Sequence, residues 1–101
     1  MSYILTWDST ALDTYFEEID FILYKWNVNE VKKFKDLVNE NLERLTKNPE
    51  IGIFNFKHKV YSLVISKQTT LYYDFNSITN QIELIVFWNN LKNPDDLTKL
   101  L

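Results

Sequence analysis

The sequence predicts an α+β domain of order β-α-α-β-β-β, an N-terminal helical hairpin packed on one face of a small antiparallel sheet. Three observations predict it. Apolar residues recur at helical spacing from Leu12 to Trp26 and again from Val31 to Leu45. After Gly52, the only glycine, the spacing changes to period two. The 101 residues form one domain, 1–101. A chain of that size buries roughly 60–70 % of its unfolded surface, enough for one core.

Tyr3-Ile-Leu-Thr-Trp7 reads as a short opening strand, because β-branched and aromatic residues suit a pleated surface. Asp8 or Ser9 caps the first helix. Its apolar residues Leu12, Tyr15, Phe16, Ile19, Ile22, Leu23 and Trp26 fall in one stripe. Phe21 stands on the other side, among Thr14, Glu17, Glu18 and Lys25. It is either covered by another element or offered with Tyr24 to a partner. Asn27-Val-Asn29 turns the chain into a second helix over about residues 30–47. Val31, Phe34, Val38, Leu42 and Leu45 form its stripe, with Leu37 at the flank. Glu40–Arg44 and Glu43–Lys47 are favourable i,i+4 pairs. Lys47-Asn-Pro49 ends this helix, since proline disfavours helical geometry at the residue before it.

Ile53-Phe-Asn-Phe56 begins a strand or leads into one. Tyr61, Leu63 and Ile65 share one face of the next strand, and Leu71, Tyr73 and Phe75 one face of the strand after. Ile82, Leu84, Val86 and Trp88 alternate with Glu83, Ile85 and Phe87 in the last. Lys67-Gln-Thr69 and Asn76–Asn80 supply hairpin connections. Pro94 with Asp95 and Asp96 favours a short final helix.

Composition narrows the function. The hydrophobic share is 46 % and the aromatic share 16 %, which excludes disorder. No cysteine is present, so there is neither a disulfide framework nor thiolate chemistry. The opening residues have no basic region and no long apolar run, so the expectation is a cytoplasmic protein with no signal peptide and no membrane span. The net charge of −3 is uneven: residues 1–50 hold six Lys/Arg against ten Asp/Glu, and residues 51–101 hold five against four. From Ile51 to Tyr73 there is no acid, but there are Lys57, His58, Lys59 and Lys67. That stretch is either a phosphate-facing surface or a lysine-protected strand edge. One histidine and no cysteine leave no metal cluster, and there is no glycine-rich phosphate loop or nucleophile motif, so no cofactor is expected.

Several short elements in fixed order carry a resemblance. They are Trp7-Asp-Ser-Thr-Ala-Leu12, Leu45-Thr-Lys-Asn-Pro49, Leu63-Val-Ile-Ser-Lys67, Leu71-Tyr-Tyr73 and Phe87-Trp-Asn-Asn-Leu-Lys-Asn-Pro94. Together, over nearly the whole chain, they resemble the RelE/ParE superfamily of toxins from bacterial type II toxin–antitoxin systems. The resemblance implies a growth-inhibiting toxin with a role in plasmid stabilization, neutralised by a cognate antitoxin that wraps it as a helix and a strand. It makes Phe21, Tyr24, Tyr61 and Tyr73 candidate contacts for that partner.

Two departures bear on the target. The strand position that commonly carries arginine is Ser62 or Tyr61 here, and the arginine before the terminal Asn-Pro is Leu91, with Lys92 beside it. RelE-like members cleave mRNA on the ribosome, which requires a base for the 2′-hydroxyl, a cation for the phosphorane and an acid for the leaving oxygen. Candidates for those roles are Lys57, His58, Lys59, Lys67, Tyr72, Tyr73 and Lys92. Lysine supplies charge without the bidentate grip of arginine on phosphate. ParE-like members poison DNA gyrase by binding, and a chain without the arginines fits that branch better. A pI near 5.0 also suits docking into ribosomal RNA poorly. A degenerate homologue that only binds an antitoxin is the third reading.

Overall fold

In the computed structural model, which describes residues 2–101, two helices and a five-stranded sheet share one core. The elements are β1 (Ile4–Trp7), α1 (Ser9–Lys25), α2 (Val28–Lys47), a 3-10 turn (Pro49–Ile51), β2 (Ile53–Asn55), β3 (Val60–Val64), β4 (Thr69–Asn76), β5 (Gln81–Asn89) and α3 (Pro94–Thr98). The α+β class and the helical hairpin match the expectation. The sheet is richer than expected. Its order is β1-β5-β4-β3-β2, and Ile53–Asn55 forms an edge strand of its own, paired antiparallel with β3. The sheet is also mixed, because β1 lies parallel to β5 with Leu5 opposite Ile82 and Trp7 opposite Leu84.

The second helix is built as its sequence dictates. The Asn27 side chain accepts a hydrogen bond from the Glu30 amide at 3.0 Å, capping the first turn. Val31, Phe34, Val38, Leu42 and Leu45 are buried against the sheet. Lys47 and Glu43 pair at 3.7 Å as expected. Arg44 instead donates to the Asn41 side chain at 3.0 Å, since the buried Asn41 amide needs that partner more than the exposed Glu40 does.

The first helix departs from its amphipathic reading. Its buried residues are Ala11, Thr14, Glu18 and Ile22, while Leu12, Phe16, Leu23 and Trp26 remain substantially exposed. The cause lies at the sheet edge. β1 is four residues long and covers β5 only as far as Leu84, so the rest of β5 has a strand on its β4 side alone. α1 fills the other side. The Thr14 hydroxyl accepts from the Phe87 amide at 2.9 Å and donates to the Thr10 carbonyl at 2.7 Å. The Glu18 carboxylate, almost fully buried, accepts from the Thr69 hydroxyl at 2.6 Å. Two polar side chains thus turn inward, Thr14 to the backbone amide of Phe87 on β5 and Glu18 to the side-chain hydroxyl of Thr69 on β4.

A bulge resets the last strand. Tyr72 opposes Val86 while Tyr73 opposes Leu84, leaving Ile85 as the extra residue. Beyond it the alternation changes phase. Ile82, Leu84 and Phe87 therefore share the face turned to the helices, and Val86 and Trp88 take the other face. The period-two reading had put Val86 and Trp88 with Ile82 and Leu84. Phe87 joins Trp7 and Tyr15 in an aromatic group, with ring centroids 5.4 Å from each.

Candidate functional site

Among the described residues no strand contains a lysine, arginine or histidine. The cationic candidates all lie in connections, at two ends of the sheet. Lys57, His58 and Lys59 form the turn between β2 and β3. The Asn55 side chain accepts from the amides of Lys57 (2.9 Å) and His58 (3.1 Å), and Lys59 takes the left-handed backbone (φ 57°) that lets the chain double back. Lys67 lies in the turn between β3 and β4, beyond the far end of β3. The five residues of β3 span roughly 15 Å. Lys67 shares its end with the exit from β5: the Asn90 amide donates to the Gln68 carbonyl at 2.7 Å, and the Asn90 side chain to the Lys67 carbonyl at 3.4 Å. Lys92 follows, paired with Glu17 at 3.7 Å and 5.7 Å from the Trp88 ring centre. Lys67 and Lys92 are thus grouped, and the Lys57–Lys59 triplet stands apart from them.

The tyrosine candidates have distinct places. Tyr73 is fully buried. Its hydroxyl donates to the Pro49 carbonyl at 2.7 Å and accepts from the Gly52 amide at 3.0 Å, tying the 3-10 turn to the sheet. Burial pushes its pKa up to about 12, partly offset by the Gly52 hydrogen bond, with a small upward push from Tyr61. In this position it reaches neither a partner nor a phosphate. Tyr61 stacks on it, centroids 5.5 Å apart, and stays half-buried. Tyr72 points to the other face of the sheet, its pKa raised by burial. On α1, Phe21 is half-buried against the core and edge-on to Trp26 at 6.2 Å, whereas Tyr24 is 92 % exposed.

The face turned away from the hairpin carries what the sequence reading missed. Asp74 and Glu83 stand directly opposite each other on β4 and β5, with Thr6 beside Glu83 on β1. Asp8, the residue before α1, makes no cap hydrogen bond there; its carboxyl bonds Glu83 instead. That bond, then desolvation, then repulsion from Asp8 and Asp74 raise the Glu83 pKa. Facing positions across the Asn76–Asn80 turn were enough to find the Asp74–Glu83 pair. Asp8 required knowledge of the parallel pairing. Among the described residues no group of three His, Cys, Asp or Glu side chains is arranged to hold a metal, and no helix is long and apolar enough to cross a membrane.

No protein-family model and no curated protein matches the sequence. Solved structures do match. The toxin–antitoxin complex RelBE2 from Mycobacterium tuberculosis contains a chain that superposes with a TM-score of 0.63 and 12 % identity, covering 89 % of this chain and all of that one. The E. coli toxin RelE, a double arginine-to-alanine mutant in the free state, superposes with a TM-score of 0.61 and 15 % identity over the whole of both chains. At such identities it is the shape that is common: the chain has the fold of these two chains.

Proposed function

We propose that this chain is the toxin of a type II toxin–antitoxin system, neutralised by a cognate antitoxin in the cytoplasm, and that it acts by binding its target rather than by cleaving RNA. DNA gyrase is the favoured target, by the resemblance to ParE-like members. The toxin part rests on the fold. The mode of action rests on one observation: the sheet face turned away from the hairpin presents Asp74, Glu83 and Asp8 and, among the described residues, no strand cation. A polyanion approaching that face meets repulsion, and phosphate affinity depends on cationic contacts. No cofactor, metal or membrane enters this reading.

A ribosome-dependent mRNA endoribonuclease is the second reading, favoured by the likeness to RelE. Lys57, His58, Lys59, Lys67 and Lys92 are its candidate residues, the buried Tyr73 being out of reach of a phosphate. Inducible expression in bacteria lacking an antitoxin separates the two. Growth arrest with early loss of DNA synthesis, unchanged by alanine at Lys57, His58 and Lys59 together, is the expected result. Early loss of protein synthesis that those substitutions abolish would overturn it in favour of cleavage. Full growth with folded protein present would sink the toxin reading.

A further inference from the structure

A cleft of about 250 Å³ opens where α1 ends, between the first half of α2 and the β3–β4 turn. Ile22, Phe34 and Leu37 line its floor, and Trp26 stands along it at 42 % exposure. A buried apolar void of roughly 150 Å³ stays dry and accepts benzene, so this cleft has room for a ring with a short chain. Its walls are fixed. The Asn27 side chain caps the start of α2 through the Glu30 amide. The Ser66 hydroxyl accepts from the amides of Gln68 (3.3 Å) and Thr69 (3.2 Å), and the Asn90 amide pins the Gln68 carbonyl at 2.7 Å. A preformed apolar recess with a few polar groups at its rim is the usual form of a small-molecule site.

The charges around the rim decide the ligand. Lys25 lies 5.3 Å from the Trp26 ring centre, Lys33 lines the α2 wall and Lys67 the turn. One carboxylate, Glu30, lines the same cleft, and Lys33 already pairs with it at 3.2 Å. Among the described residues no acid pairs with Lys25 or Lys67. The acids behind the turn are engaged elsewhere, Glu18 with the Thr69 hydroxyl at 2.6 Å and Glu17 with Lys92 at 3.7 Å. Three ammonium groups thus stand against one carboxylate around an apolar floor. An amine would be repelled there, and a polyphosphate would leave the floor unfilled. We infer that the cleft is a binding site for a small amphipathic monocarboxylate, an aromatic or short-chain acyl acid. Its apolar body packs on Phe34 and Leu37 beside Trp26, and its carboxylate meets the Lys67 ammonium with Lys33 in support. The inference stands whether or not the chain is a toxin.

The probes are 4-phenylbutyrate, its neutral amide and 4-phenylbutylamine, which share one apolar body and differ in charge. Each is titrated into the purified full chain and followed by backbone amide shifts in NMR spectra. The carboxylate should saturate shifts at Phe34, Leu37 and Ser66–Gln68 and bind at least about tenfold tighter than the amide, with the amine weakest. High salt narrows that gap. Lys67→Ala with Lys33→Ala brings the carboxylate to within about threefold of the amide and leaves amide binding unchanged. Lys47→Ala, at the far end of α2, changes neither. Leu37→Trp, at a side chain 38 % exposed, fills the cleft and abolishes binding of all three while Tm holds. Equal affinity of the three probes, shifts centred elsewhere on the chain, or no saturable binding would overturn the inference. So would a carboxylate preference that survives the double lysine substitution, or binding that survives Leu37→Trp. Growth arrest plays no part in these readouts, so its failure leaves the probe order standing.

Discussion

Replacing Tyr73 with Phe removes one oxygen from the core and leaves two backbone groups without a partner. The Pro49 carbonyl loses a donor at 2.7 Å and the Gly52 amide an acceptor at 3.0 Å. The ring itself stays stacked on Tyr61, so almost no packing volume is lost. An orphaned buried group costs about 1–3 kcal/mol, and the 3-10 turn relaxes enough to recover part of it, so a loss of about 2 kcal/mol is expected. At the usual unfolding entropy of a 101-residue chain this lowers Tm by roughly 10 °C. Urea titration checks it: the midpoint falls and the slope stays, since little buried surface changes. Hydrogen exchange at the Gly52 amide should quicken more than at any strand amide of β4. A midpoint within experimental error of the parent, with Gly52 equally protected, would refute the reasoning. Abolished growth arrest at full stability would show instead that the hydroxyl acts in chemistry.

Three further outcomes follow from the same geometry. Thr14→Val keeps the shape of the side chain but strands the Phe87 amide, so a loss of about 1–3 kcal/mol and faster exchange at Phe87 are expected, with Thr14→Ser close to the parent. Gly52→Ala places a methyl 2.5 Å from the Tyr73 hydroxyl and 2.7 Å from the Ser62 carbonyl; denaturant titration should read a loss of about 1–3 kcal/mol, and an unchanged midpoint would argue against this close approach. The third concerns pH. Glu83 titrates above its usual 4.5, so the folded state holds a proton that the unfolded chain releases. Its contribution is present below 4.5 and disappears as pH rises through the raised value. Glu83→Gln should therefore gain a few tenths of a kcal/mol over the parent at neutral pH, a small effect because the side chain is solvent-exposed, and none in acid. Thermal melts of both proteins across that range measure it.

The periodic parts of the fold were legible in the sequence. The α2 stripe needed only spacing, and β3 and β4 alternate as period two demands. The errors cluster where one segment meets another far away in sequence. Thr14 and Glu18 looked solvent-facing because a helical wheel ranks residues by polarity and cannot know that the Phe87 amide and the Thr69 hydroxyl await them. Phe87 was assigned to the wrong face because one extra residue, Ile85, inverts everything after it. The site was less legible than the fold. That Lys57–Lys59 and Lys67 lie in turns was plain. That those turns sit at opposite ends of one strand, and that Asp8, Asp74 and Glu83 converge, depended on register.

The parallel pairing of β1 also imposes an order of assembly. Leu5 meets Ile82 only after nearly the whole chain between them is available. α1 and α2 can form locally and the β3–β4–β5 meander can close through short turns, but β1 has no sheet neighbour other than β5. The first strand of the sequence is thus the last to find its place. Contacts of such long separation slow folding through the loop entropy they must overcome. Until then α1 lacks its anchor at Asp8, whose amide donates to the Leu84 carbonyl at 3.0 Å. Refolding followed at Trp7, which stacks on Phe87 only when β1 docks, should lag behind refolding followed by helix content.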